Sequence, residues 1–177
     1  VGNVPLAATH ADAESALASA TAGLRELWHS TRATLGAEVI QQTVLDTAEP
    51  LFGSHDSAVP GAPSRLVAAL NSRLAEAAVA ERVAVVDVAR QAARDGLDAW
   101  FDTGRWLQAR MEIAPQAAAG YGELVARVVA ALRGKSRKCL VLALDNPLWG
   151  GVVGDVGIEG LVLGEGSAAG EAHLALQ

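Results

Sequence analysis

The sequence has 177 residues, a formal net charge of −6 and 51% hydrophobic residues. The acidic balance argues against general nucleic-acid binding, which usually requires a basic face, and the hydrophobic content suffices for a packed core. Because no apolar run approaches the ~20 residues of a membrane-spanning helix and no secretory leader opens the chain, the sequence predicts a soluble, cytoplasmic protein without a membrane partner.

Helix and strand patterns alternate from the start of the chain. Apolar residues at helical spacing predict an amphipathic helix over Asp12–Leu35, with Gly36 as its stop. The β-branched residues of Ala37–Leu45 predict a strand. Prolines and glycines then mark Asp46–Pro63 as a surface connection.

The alternation continues through the middle of the chain. A helix is predicted over Ser64–Ala80, capped by its first residue, and a second buried strand over Val83–Val88. A short helix over Ala89–Asp95 follows, then a loop over Leu97–Glu112 and a helix over Pro115–Arg133. Alternating helices and strands favour an α/β fold, a layered parallel sheet with flanking helices.

The strongest strand signal is the apolar run Cys139–Leu144. Such a run suits a strand buried on both faces of a parallel sheet, and it makes the single cysteine a small buried core residue that forms no internal disulfide. Asp145 and Asn146 follow where this strand would end. Ligands collect beyond the carboxyl ends of strands in open α/β sheets, so the polar pair predicts a binding site.

Glycines recur from Gly150 to Gly170 without forming a phosphate-binding fingerprint. They predict the tight turns of a short hairpin flap over the site, after which Ser167 caps a last helix. The four histidines stand at no spacing that suits a metal ion, so no metal site is predicted from the residues themselves.

Two glycine-rich segments, Leu140–Gly154 (LVLALDNPLWGGVVG) and Gly157–Gly164 (GIEGLVLG), resemble the FkbH-like proteins, which belong to subfamily IIIC of the haloacid dehalogenase superfamily. Upstream segments also resemble this family, namely Val39–Thr43, Glu49–Gly53, Leu97–Asp102 and Arg137–Cys139. The resemblance implies an SGNH-like, flavodoxin-like domain over residues 1–134. It implies the first strand, loop and flap of a haloacid-dehalogenase-like domain over residues 135–177.

The resemblance also implies a chemistry. FkbH-like proteins take a glyceryl unit from 1,3-bisphosphoglycerate, remove the phosphate and load the acyl group on an acyl carrier protein for polyketide biosynthesis. Their Asp-x-Asp-x-Thr motif aligns with Ala143, Asp145 and Pro147. In the superfamily the first aspartate is the nucleophile and an Mg²⁺ ligand, the backbone of the second also binds the ion, and the second carboxylate is the general acid and base. Asp145 inherits that last role by resemblance.

Two substitutions in this motif lead to the prediction that the chain is inactive. A methyl group at Ala143 can neither attack phosphorus nor ligate a hard cation. Pro147 removes a hydroxyl and a backbone N–H, and it biases Asn146 towards an extended conformation. The remaining phosphate pocket is predicted to consist of Asn146, Pro147, Trp149, Gly150 and Gly151. We therefore predict no bound Mg²⁺ and no turnover by the chain itself.

The family needs later strands that bring a lysine or arginine and an acidic pair, and the residues after Ala143 are too few to hold them. The chain is therefore expected to be an excerpt or a decayed copy of a larger protein. Its open sheet edges would favour self-association.

Two alternatives to the phosphatase hypothesis remain open. One is a non-catalytic remnant that still binds an acidic carrier protein through a basic cluster. This cluster comprises Arg105, Arg110, Lys135, Arg137 and Lys138. The other is an SGNH-type ester hydrolase, against which the sequence offers neither a Gly-Asp-Ser nor an Asp-x-x-His segment.

Overall fold

A computed structural model describes residues 4–135, 137 and 139–177. The chain divides into two compact units, which we call unit 1 (Val1–Gly134) and unit 2 (Lys135–Gln177). Within the described residues, no helix combines the length and the apolar character needed to cross a membrane. The identification of the units as an SGNH-like and a haloacid-dehalogenase-like domain stays a prediction.

Unit 1 begins with the long helix α1 (His10–Leu35). Thr9 Oγ1 accepts from the Asp12 amide at 3.2 Å while Asp12 Oδ2 accepts from the Thr9 amide at 3.0 Å, a capping box that starts the helix two residues before the predicted position. Gly36 ends it as predicted, with a φ of +59° and its N–H donating to Arg32 O.

Helix α2 (Pro63–Glu81) packs along α1. Its first helical residue is Pro63, and the capping position belongs to Ala62, so the prediction of Ser64 as the cap was wrong. Proline is tolerated there because its absent N–H would find no partner within the helix. The predicted apolar side is confirmed, since Leu66, Leu70 and Leu74 are all buried.

The sheet of unit 1 has two parallel strands, β1 (Ile40–Gln42) and β2 (Ala84–Val86), with Ile40 paired with Ala84. The parallel pairing is confirmed, and both strands are shorter than predicted. After β2 the side chain of Asp87 accepts from the Arg90 amide at 3.1 Å and starts a helix, so Val88 is helical where a strand was predicted.

Helices cover both faces of this sheet. Gln41 of β1 accepts from Trp28 of α1 at 2.9 Å, whereas the next residue, Gln42, accepts from Tyr121 at 2.9 Å. Successive strand residues point to opposite faces, so α1 lies on one face and the helix that carries Tyr121 lies on the other. The mixed α/β class is thus confirmed, while SGNH-type layering is untested.

The remaining helices of unit 1 are α3 (Val88–Asp95), α4 (Leu97–Trp100), α5 (Thr103–Ala109) and α6 (Ala118–Leu132). Short 3₁₀ turns lie at Gly53–Ala58 and Pro115–Ala117. The prediction of a loop over Leu97–Glu112 was wrong, because Asp102 caps α5 by accepting from the Arg105 amide at 3.0 Å.

Unit 2 contradicts the strand predicted at Cys139–Leu144. These residues form no strand, Cys139 is exposed, and Val141 is 88% exposed. A strand needs neighbours that take its backbone N–H and C=O groups, and the described residues of unit 2 offer this run only the turn bond from the Leu148 amide to Leu144 O.

The rest of unit 2 contains the short helix α7 (Val153–Val156), a 3₁₀ turn (Ile158–Gly160) and helix α8 (Ala168–Leu176). Ser167 caps α8 as predicted, with Oγ accepting from the Gly170 amide at 3.0 Å. The predicted hairpin flap was wrong, since Gly150 and Val162 make one antiparallel bridge and helical turns fill the span between them.

Candidate functional site

The predicted site lies on the loop from Asp145 to Gly151, where the chain makes a tight turn. The Leu148 amide donates to Leu144 O at 3.0 Å, which folds the loop back under Asp145. The Asp145 carboxylate is half-buried, and its Oδ1 accepts from Trp149 Nε1 at 3.0 Å and from the Val153 amide at 3.4 Å. Asp145 is therefore fixed in place by the indole and by the start of α7.

Asn146 has a φ of +68°, so the prediction that Pro147 would bias it towards an extended conformation was wrong. The left-handed region is open to asparagine more than to most residues. Its side-chain oxygen accepts from the Gly151 amide at 3.3 Å, which spans the turn and stabilises this backbone shape. An amide group that could have met a ligand is thus engaged within the loop.

Gly150 and Gly151 allow the loop to pack closely against the rest of unit 2. The Gly150 amide donates to Val162 O at 2.9 Å, and the return bond has the same length. A Cβ at Gly150 would lie 3.0 Å from the Val162 Cβ, and Gly151 has a φ of +106°. These glycines serve close packing and a left-handed turn, and their predicted place in a phosphate pocket stays a prediction.

Helix α8 and the residue directly after it bring two side chains to this loop that the sequence analysis did not single out. His173 Nδ1 lies 3.3 Å from Pro147 O, and Gln177 Nε2 donates to Leu148 O at 2.7 Å. His173 is half-buried, and its imidazole contacts the loop that carries Asp145. The cap at Ser167 fixes the start of α8, but only the tertiary fold places its last turns against the loop.

Mg²⁺, which the resemblance implies, does not fit the donors present at this loop. The nucleophile position carries the exposed methyl group of Ala143, and one oxygen of Asp145 already accepts two hydrogen bonds. Mg²⁺ needs near-octahedral oxygen ligands and usually takes at least one or two carboxylates together with phosphate. Among the described residues, no group of three or more His, Cys, Asp or Glu side chains could hold a metal ion.

Chemically, the loop offers a carboxylate acceptor and an imidazole near one turn, with no nucleophilic oxygen at position 143. Asp145 can accept a proton or a hydrogen bond at its second oxygen. Covalent phosphoryl transfer requires an attacking atom, and the methyl group at position 143 cannot supply one.

Unit 1 has a separate cavity of about 310 Å³ beyond the carboxyl end of β1. Two polar side chains at this end of β1 are engaged by the fold itself. Asn71 bonds both the amide and the carbonyl of Val44 at 2.8 Å, and Thr43 Oγ1 accepts from the Ala89 amide at 2.9 Å. The cavity therefore shows no hydroxyl poised as the nucleophile of an ester hydrolase.

The basic cluster proposed for a carrier protein falls on both units. Arg105 and Arg110 belong to the α5 region, where Arg110 stacks on the Trp106 ring at 5.3 Å from its centroid. Lys135 and Arg137 are exposed residues of unit 2, and Lys138 lies outside the described residues.

No protein-family model matches the chain, and no curated protein matches it. One solved structure is similar, that of the N-terminal part of the protein BF1531 from Bacteroides fragilis, which contains a phosphatase domain and is complexed with Mg. The TM-score is 0.82 at 24% sequence identity, over 97% of this chain and 45% of that one. The chain thus spans less than half the length of its structural relative, and the likeness shows that it shares the fold of a protein containing a phosphatase domain.

Proposed function

We propose that the chain belongs to an FkbH-like phosphatase-type protein, acting with 1,3-bisphosphoglycerate and an acyl carrier protein in polyketide biosynthesis, and that the chain itself does not carry out the phosphoryl transfer. The proposal that the chain is inactive rests on a single observation, the Asp145 loop. It holds an acid/base carboxylate next to a methyl group at Ala143. The proposal that the chain belongs to an FkbH-like protein is supported by the fold it shares with a protein that contains a phosphatase domain.

In phosphoryl transfer, the nucleophile and the general acid and base act as a unit. A general acid and base assists a nucleophile, and without that nucleophile the proton transfer accelerates nothing. Asp145 also serves the loop, because Trp149 and Val153 both donate to it. Asp145 therefore has a structural role in the loop, in addition to the role that its position in the motif suggests.

The test measures phosphate release from 1,3-bisphosphoglycerate in the presence of Mg²⁺ and an acyl carrier protein, and follows glyceryl loading as a mass shift of the carrier. We expect both signals to equal those of a blank without protein. The matched control is Asp145→Asn, which should give the same blank rate. Mg²⁺-dependent release by the chain that Asp145→Asn abolishes would overturn the proposal of inactivity.

A second candidate is a binding role towards the carrier protein alone, favoured by the exposed surface of α5. Arg110 stacks on Trp106 there, and Trp106 is 37% exposed, so a cation and an aromatic ring face solvent together. Titration of a carrier protein should quench Trp106 fluorescence and should weaken with Arg110→Glu. Arg133→Glu at the end of α6 is the charge-matched control. Equal quenching in both variants would exclude this surface.

A further inference from the structure

We draw no further inference here: the strongest candidate, the cavity of about 310 Å³ between α2 and α3 beyond the carboxyl end of β1, carries none, because nothing among the described residues shows what covers its mouth and the chain spans less than half the length of its structural relative.

Discussion

Asp145 combines a position that resembles a catalytic one with hydrogen bonds that belong to the loop. Trp149 and Val153 both donate to its Oδ1, and Asn146 ties the same turn to Gly151. At the scale of single residues, the loop is thus held by Asp145 and Asn146, which accept from backbone amides, and by the indole N–H of Trp149, which donates to Asp145. Two predictions separate this structural role from a catalytic one.

Replacing Trp149 by phenylalanine removes the N–H that donates to Asp145 while keeping an aromatic ring. A hydrogen bond of this kind contributes about 1 kcal/mol, so amide exchange at Val153 should become about fivefold faster. Hydrogen exchange followed by NMR measures this. Asp145→Asn keeps an acceptor oxygen and should stay near the parent rate, whereas unchanged exchange in Trp149→Phe would show that the indole does not fix the loop.

The double change Ala143→Asp with Pro147→Thr restores the nucleophile, a metal ligand and a hydroxyl to the motif. We expect no turnover of 1,3-bisphosphoglycerate, because the described residues form no group of three or more His, Cys, Asp or Glu side chains that could hold the metal ion. The new carboxylate would lie near Asp145 without a cation, and close like charges disfavour joint ionisation. A slight loss of stability should accompany the change.

The comparison for this rescue experiment is the same double variant extended by a carboxyl-terminal segment from an FkbH-like protein. Phosphate release by the extended variant alone is the expected result. Release by the unextended variant would show that these residues suffice and that the loop needs no further groups.

At the scale of elements, α1 and α2 are joined by basic side chains on α1. Arg25 Nε donates to Glu81 Oε1, His29 Nε2 lies 2.8 Å from Glu81 Oε2, and Arg32 donates to the carbonyls of Glu81 and Arg82. Arg82 has a φ of +54°, so these contacts hold the left-handed end of α2. The Arg25 hydrogen bond lowers the pKa of Glu81 below its ordinary value.

This lowered pKa predicts the pH dependence of stability. The folded-state pKa lies below the unfolded one, so the carboxylate of Glu81 stabilises the fold fully above its ordinary pKa of about 4.3 and loses that effect as the pH falls through the folded value. The melting temperature of Glu81→Gln should lie below that of the parent at neutral pH, and the gap should close as the pH falls through the folded-state pKa of Glu81. Glu38→Gln, exposed after α1, is the control; a pH-independent gap would contradict the assignment.

At the scale of the whole molecule, the elements of unit 1 could largely be predicted from the sequence. The helical spacing of Leu66, Leu70 and Leu74 identified the buried side of α2, and Gly36 marked the end of α1. These signals are local, because they depend on periodicity and on a residue that adopts a positive φ. The strand lengths could not be predicted, since Asp87 ends β2 by capping a helix.

Asp145 lies on a loop, as its place after the apolar run indicated, but the surroundings of this residue could not be predicted. The apolar run Cys139–Leu144 has a strong strand pattern, and pattern alone does not reveal whether neighbouring strands exist to pair with it. The contact of His173 with Pro147 depends on the position of α8 in space. Sequence spacing carries no information about such a contact.

Mg²⁺ binding tests the site as a whole. Because Asp145 is the one carboxylate of the loop and position 143 is alanine, we expect calorimetric titration to detect no Mg²⁺ site of sub-millimolar affinity. Ca²⁺ titrated in parallel serves as the control for weak, non-specific carboxylate binding. A saturable sub-millimolar Mg²⁺ site would contradict the prediction.

The pairing of Ile40 with Ala84 also bears on how unit 1 folds. Between these two residues lies the whole of α2, so β1 and β2 meet only after a long loop closes around a formed or forming helix. Closure of long loops costs chain entropy before any contact offsets it, which slows folding. The contacts between α1 and α2 close longer loops still, with 56 residues separating Arg25 from Glu81, so we expect the two helices and the ladder between β1 and β2 to come together in the same rate-limiting step.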